Sequence, residues 1–137
     1  FAPVHVVNRT LDRAEALAAR FGARVRPAGW HDLPGLLAAA RVLVNSTSLG
    51  MEGQPPLAVD LAALRADCLV TDIVYVPLET PLLAAARVRG LRTVDGLGML
   101  LHQAAPGFAH WFGRMPEVTP ALRRAVLRDM GIAEEHA

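Results

Sequence analysis

Short runs of β-branched residues alternate along this chain with stretches whose apolar positions recur at helical spacing, and that alternation restricts the fold more than any other feature. The runs are Val4-His5-Val6-Val7, a weaker Arg24-Val25-Arg26, Val42-Leu43-Val44 within residues 41–45, the apolar stretch 68–74, and Arg92-Thr93-Val94. Their composition predicts buried strands. Between them, Leu11, Ala14, Leu17, Ala18 and Phe21 share one helical face, with Thr10 as N-cap and Gly22 as stop. A second helix is expected over 31–40, carrying Leu33, Leu36, Leu37 and Ala40, with Pro34 and Gly35 in its first turn. Further helical segments are a turn at 60–64, a helix over 79–89 opened by Thr80-Pro81 and stopped by Gly90, and a long one over 96–112. Pro106-Gly107 should kink or split the long one, and a last helix runs from Thr119-Pro120 to about residue 130. Residues 134–137 read as a frayed end.

Strands that are apolar on both faces and separated by helices form a parallel sheet covered on both sides. The expected fold is therefore α/β, a Rossmann-like doubly wound parallel sheet. It is expected to be incomplete, because the chain enters at what reads as the second strand of a dinucleotide-binding unit. The first strand and its glycine-rich turn have no counterpart, and Gly96-x-Gly98 lacks the full G-x-G-x-x-G and lies far from the first run. The 137 residues suit one domain, 1–137, and a chain of this length buries roughly two-thirds of its unfolded surface. An open strand edge leaves either a longer polypeptide or pairing with a second chain, as in a homodimer.

Composition removes several functions. The net charge is +1, which builds no field for nucleic acid or an anionic membrane. No apolar run reaches membrane-spanning length and no signal peptide is visible, so the cytosol is the expected compartment. All 14 basic side chains are arginine, so no lysine Schiff base, general base or phosphate clamp can come from this chain. Cys68 is the only cysteine, and beside Leu69-Val70 it reads as a core thiol. His5, His31, His102, His110 and His136 lack metal-ligand spacing, and no metal is expected. His102 reads as a surface or cap residue, and Trp30, Trp111 and Phe112 as packing residues.

Four segments carry candidate chemistry. Asn8-Arg9-Thr10 follows the first run, with Arg13 one helical turn on. In doubly wound folds the end of the second strand meets the adenosine ribose, where an acid selects NAD and an arginine accommodates the 2′-phosphate of NADP. Arg9, Arg13, the Thr10 hydroxyl and the amides of a helix N-terminus can surround a dianion. The same residues also fit a capped helix with solvated arginines, and Asp12 weakens the local positive potential. Asn45-Ser46-Thr47-Ser48-Leu49-Gly50-Met51 follows the third run, at the carboxyl end of a parallel strand, where such sheets place ligands; a plain turn is the alternative. Tyr75, after Asp72-Ile73-Val74, fits either a ligand contact or a partly buried tyrosine at a strand end. In Asp95-Gly96-Leu97-Gly98-Met99-Leu100-Leu101-His102-Gln103-Ala104, Met99 and Gln103 are four apart and share a helical face.

In this order and spacing, over residues 4–116, the four segments resemble the nucleotide-binding half of shikimate dehydrogenases. Asn-Arg-Thr-x-x-Arg matches that family's NADP-selecting motif at Asn8, Arg9, Thr10 and Arg13. The 45–51 loop, with Pro55-Pro56 after it, resembles the loop that borders the nicotinamide. Pro77 and Thr80-Pro81 fit the segment after the tyrosine. Glutamyl-tRNA reductases carry a similar first segment but lack counterparts of 45–51 and 95–103. The resemblance implies NADP as cofactor, held by Asn8, Arg9, Thr10, Arg13, Thr47, Ser48, Leu49, Ile73, Gly96 and Met99. It implies contact with shikimate or 3-dehydroshikimate from Tyr75 and Gln103. It also implies that the family's proton-handling lysine–aspartate pair lies in an N-terminal substrate domain, so that no catalytic residue is expected here and the isolated chain should be inactive. A quinate/shikimate dehydrogenase paralogue shares almost all of these motifs, and a non-catalytic nucleotide-binding domain is the reading from another class.

Overall fold

Every strand runs parallel to its neighbour, yet the strands form two sheets and not one. The computed structural model describes residues 3–132, so the expected fray at 134–137 lies outside the described residues. Strand β1 (Val4–Asn8) pairs with β2 (Val25–Gly29), with Val4 opposite Val25. Strands β3 (Val42–Asn45), β4 (Leu69–Asp72) and β5 (Arg92–Val94) form the second sheet in that order, with Asn45 opposite Asp72. Helices α1 (Leu11–Phe21) and α2 (Leu33–Leu37) follow β1 and β2, α3 (Pro81–Val88) lies between β4 and β5, and α4 (Gly96–Phe112) and α5 (Pro120–Asp129) close the chain, with no α-helix between β3 and β4. The α/β class and the parallel pairing agree with the sequence reading.

The burial expected of all strands holds only for part of the chain. Strands β1 and β3 share no ladder, and their side chains are open: Val4 is 58% exposed, and Val42 and Val44 are 54% and 51% exposed. Helix α1 begins and ends where Thr10 and Gly22 predict, but of its apolar face only Ala14 is buried, and Leu11, Leu17 and Phe21 are exposed. It packs on a sheet of two strands, which is too narrow to cover a whole helical stripe.

Other expectations shift for local reasons. The helix over 31–40 contracts to α2, preceded by a 3-10 turn at Trp30–Asp32, with Pro34 in its first turn, where a missing amide is tolerated. Residues 60–64 form turns without a regular helix, although Leu61 and Leu64 are buried; the Arg89 guanidinium donates to both of their carbonyls and replaces the missing helical bonds. Pro106 does not split α4, which runs unbroken until Gly113 turns the chain at φ +67. Trp30, Trp111 and Phe112, expected as packing residues, are exposed and lie outside both cores, although the Phe112 ring meets that of Phe108. Trp111 is 81% exposed, because the last turns of α4 extend past the core that its first turns join.

The larger core lies between α3 and the three-stranded sheet, where Leu82, Leu83 and Ala86 meet Val70 and Leu91. Cys68 is fully buried there, and burial pushes its thiol pKa up. A smaller core joins Leu97 of α4 to Leu127 of α5 and to Leu78. Among the described residues no helix is long and apolar enough to cross a membrane.

Truncating Leu83, which has no exposed surface, removes the side chain that links α3 to the sheet. Leu83→Ala is expected to destabilise by about 2–5 kcal/mol in urea titration. A loss under about 1 kcal/mol would mean that this core is not the one that holds the fold.

Candidate functional site

An Asn or Asp stands at the carboxyl end of β1, β3 and β4, and another directly after β5. Each accepts a hydrogen bond from the backbone amide two residues on: Asn8 from Thr10 at 2.9 Å, Asn45 from Thr47 at 3.0 Å, Asp72 from Val74 at 3.0 Å, and Asp95 from Leu97 at 3.0 Å. Such side-chain turns bend the backbone out of the strand and satisfy an amide that has left the ladder. All four candidate segments therefore start at the carboxyl end of a parallel strand, the place where open α/β sheets receive ligands.

Three of the four are tied together. The Asn45 amide donates to the Asp72 carboxyl at 2.9 Å and to the Leu49 carbonyl at 2.9 Å, while its oxygen also accepts from the Thr47 hydroxyl at 2.8 Å. The second Asp72 oxygen accepts from the Thr80 hydroxyl at 2.7 Å, and that hydroxyl caps α3 by accepting from Leu83 N. Asp72 is 1% exposed, and no buried side-chain nitrogen or oxygen among the described residues lacks a partner. A buried polar group left unpaired costs about 1–3 kcal/mol, so this complete network holds the loop 46–51, the segment 73–75 and the start of α3 in one arrangement. Backbone bonds reinforce it: Ile73 N donates to Asn45 O at 3.0 Å and Glu52 N to Val76 O at 2.9 Å.

Gly96 brings in the third segment. A Cβ there would strike the Ile73 carbonyl oxygen and come within 2.6 Å of Val74 O. Only a residue without a side chain lets α4 begin against the backbone of the tyrosine segment. Asp95 caps α4, and its carboxylate also takes a two-pronged ion pair from Arg123 of α5, at 2.7 and 3.2 Å.

The candidate residues thus fall into two sets. Thr47, Ser48, Leu49, Ile73, Tyr75, Gly96, Met99 and Gln103 lie on the three joined segments. Met99 and Gln103 are exposed and one turn apart on the unbroken α4, as their spacing predicts, and Tyr75 is exposed rather than packed away. Asn8, Arg9, Thr10 and Arg13 lie on the other sheet, and no hydrogen bond among the described residues links them to the joined segments. Arg9 and Arg13 are exposed. Thr10 is the N-cap of α1 but its hydroxyl makes no capping bond, unlike Thr80 and Thr119. No cluster of three or more His, Cys, Asp or Glu among the described residues is placed to hold a metal.

Two parts of this site were not singled out by sequence reasoning. Asp72 and Thr80 were read as neighbours of Tyr75 and not as its support, although a lone acid ending an apolar strand signals a buried, partnered carboxyl. Arg123 carries no sequence signal, since nothing local distinguishes it from the other arginines of α5.

The family model of the Shikimate 5'-dehydrogenase C-terminal domain matches residues 96–127, from the first residue of α4 to the buried leucine of α5. A shikimate dehydrogenase (NADP(+)) of Azorhizobium caulinodans is 62% identical over 130 residues, 95% of this chain and 46% of that protein. Over nearly its whole length the chain is similar to shikimate dehydrogenases. It spans about half the length of the relatives it matches. Two solved structures share its architecture. A quinate dehydrogenase from Corynebacterium glutamicum in complex with NAD superposes with a TM-score of 0.82 at 35% identity, over 92% of this chain and 46% of that one. A shikimate 5-dehydrogenase from Thermus thermophilus in complex with NADP(H) and shikimate gives 0.74 at 35% identity, over 92% and 45%.

The Gly96 contact can be tested against a neighbour. Gly98 on the same helix has open space around its Cα. Gly96→Ala is expected to destabilise by about 1–3 kcal/mol through the forced contact, whereas Gly98→Ala should be neutral or stabilising by up to about 1 kcal/mol. Equal effects of the two substitutions in denaturant titration would contradict the packing described.

Proposed function

We propose that this chain is the NADP-binding half of a shikimate dehydrogenase, a cytosolic enzyme that interconverts 3-dehydroshikimate and shikimate. The observation that carries the reading is the convergence of 45–51, 72–75 and 95–103 on the Asn45–Asp72 bond and on Gly96. That convergence supports a site where Met99 and Ile73 border a nicotinamide while Tyr75 and Gln103 reach a polyol next to it.

The donor set suits the phosphorylated cofactor. Asn8 puts no carboxylate where a 2′-phosphate would lie, Arg9 and Arg13 are open to solvent, and the Thr10 hydroxyl is uncommitted. When bound, the cofactor supplies or accepts a hydride at the carbon that alternates between C=O and CH–OH. The residues of this chain then hold, orient and exclude water. This chain holds no lysine, and the Asp72 and Asp95 carboxyls of the joined segments are already committed to Asn45, Thr80 and Arg123. We therefore assign the proton donor and most of the substrate contacts to a second half, in keeping with relatives about twice as long. The open edges of β1 and β3 also admit a homodimer, which the solution mass of the uninterrupted protein decides.

A second reading is a quinate dehydrogenase using NAD, favoured by the superposition on the Corynebacterium glutamicum enzyme. Absorbance assays of the uninterrupted polypeptide with shikimate or quinate and NADP⁺ or NAD⁺ separate the two. Turnover is expected with shikimate and NADP⁺, and none from residues 1–137 alone. Preference for quinate or NAD⁺ moves the protein to the second reading, and no turnover from a folded protein favours a binding domain without catalysis.

Arg9→Ala and Arg13→Ala are each expected to raise the KM for NADP⁺ about tenfold, the weight of one charge-assisted hydrogen bond to phosphate. The KM for NAD⁺ should stay within about twofold. A parallel rise for both cofactors would remove these arginines from the 2′-phosphate.

A further inference from the structure

We propose that Arg123, on the first turn of α5, is a positioning residue for the site: through Asp95 it fixes the start of α4, and with it Gly96, Met99 and Gln103. The proposal rests on the reading of the joined segments as the place where cofactor and substrate meet.

Helix α5 touches the start of α4 on both sides of Gly96. On one side the Arg123 guanidinium grips the Asp95 carboxylate with two hydrogen bonds, at 2.7 and 3.2 Å, while that carboxylate caps the helix through Leu97 N at 3.0 Å. On the other side Leu127 packs on Leu97, both without exposed surface. Between them Gly96 lies against the Ile73 and Val74 carbonyls. The first turn of α4 is thus clamped between α5 and the tyrosine segment.

The pair differs from the other ion pairs of the described residues. Its side chains are 25% and 20% exposed, whereas every other pair is at least 42% exposed on both sides. A partly buried, two-pronged arginine–carboxylate contact fixes orientation as well as distance, which an exposed pair does not. Leu97, Leu100 and Leu101 turn the apolar stripe of α4 towards Leu127 and Leu78, but apolar contacts are non-directional and hold the first turn less sharply than the Arg123–Asp95 fork. The rotation of α4 decides where Met99 and Gln103 point, and Arg123 sharpens that constraint. Neither Arg123 nor α5 holds any of the residues assigned to cofactor or substrate contact, so the effect is indirect.

The test uses the uninterrupted polypeptide with Arg123→Met, which keeps an unbranched stem, Arg123→Lys, which keeps the charge but loses the fork, and Asp95→Asn, which keeps an oxygen for Leu97 N but loses the ion pair. With shikimate and NADP⁺, Arg123→Met is expected to lower kcat about tenfold, with the KM for NADP⁺ within about twofold, because Arg9 and Arg13 hold the far end of the cofactor on the other sheet. Arg123→Lys should recover part of the loss. Asp95→Asn should resemble Arg123→Met, and the double variant should be no worse than either. Hydrogen exchange of the amides at 97–100 should quicken in Arg123→Met while those of α3 do not change.

A lower melting temperature with unchanged kcat would make Arg123 merely structural and overturn the proposal. Unchanged exchange at 97–100 would overturn it whatever the kinetics. Absence of turnover from the parent protein would instead defeat the functional reading, and the exchange measurement alone would then decide whether Arg123 fixes the start of α4.

Discussion

The hydrogen bond from Asn45 to Asp72 is the contact on which the rest of the site depends. It joins the last residues of two neighbouring parallel strands, at the one register position where both side chains are polar. Each partner then uses its remaining capacity locally: Asn45 on the loop that follows β3, Asp72 on the tyrosine segment and on the Thr80 cap of α3. Asn45, Asp72 and Thr80 are buried and fully satisfied, so pulling any one of them away strands a polar atom from water. A sheet that ends in such a network presents its loops in a fixed relation without large loop-to-loop interfaces.

The other half of the fold is held less firmly. The larger core lies over the three-stranded sheet, and the β1–β2 pair with α1 contributes only Ala14 and Ala28 to the buried apolar residues. The exposed valines of β1 and β3 have the side chains of central strands and the surroundings of edge strands. The segment assigned to the adenosine phosphate sits on this looser unit, while the segments assigned to the nicotinamide and substrate sit on the rigid one. Recognition of the cofactor's identity and alignment of its reactive end are in this way assigned to separate structural units.

Periodicity was enough to find the elements of the fold. β-branched runs located all five strands, and Thr10, Gly22, Thr80-Pro81, Gly90 and Thr119-Pro120 marked helix ends to within a residue or two. Burial was not legible, because it depends on which strands meet: nothing in Val4-His5-Val6-Val7 says that its neighbour is β2 alone. Of the kink or split expected at Pro106, the split does not occur, because a proline removes one amide and not a whole turn, and the rest of α4 carries it. At the site, Met99 and Gln103 were legible because helical spacing fixes which residues share a face. The supports were harder to see. Asn45 and Asp72 are 27 residues apart and meet only through strand register, and Arg123 reaches Asp95 from 28 residues away across a core contact. Local pattern finds groups that present chemistry, whereas groups that aim it depend on tertiary pairing.

The central claim is that segments from two sheets form one cofactor surface, with Arg9 and Arg13 at one end and Gly96 and Met99 at the other. Titration of the isotope-labelled, uninterrupted protein with NADP⁺, followed by amide chemical shifts, reads that surface directly. The account expects shifts at 9–13, 47–49, 73 and 96–99, with 59–64 and 85–89 unmoved. Shifts confined to one of the two sheets, or centred on 59–64 and 85–89, would contradict it.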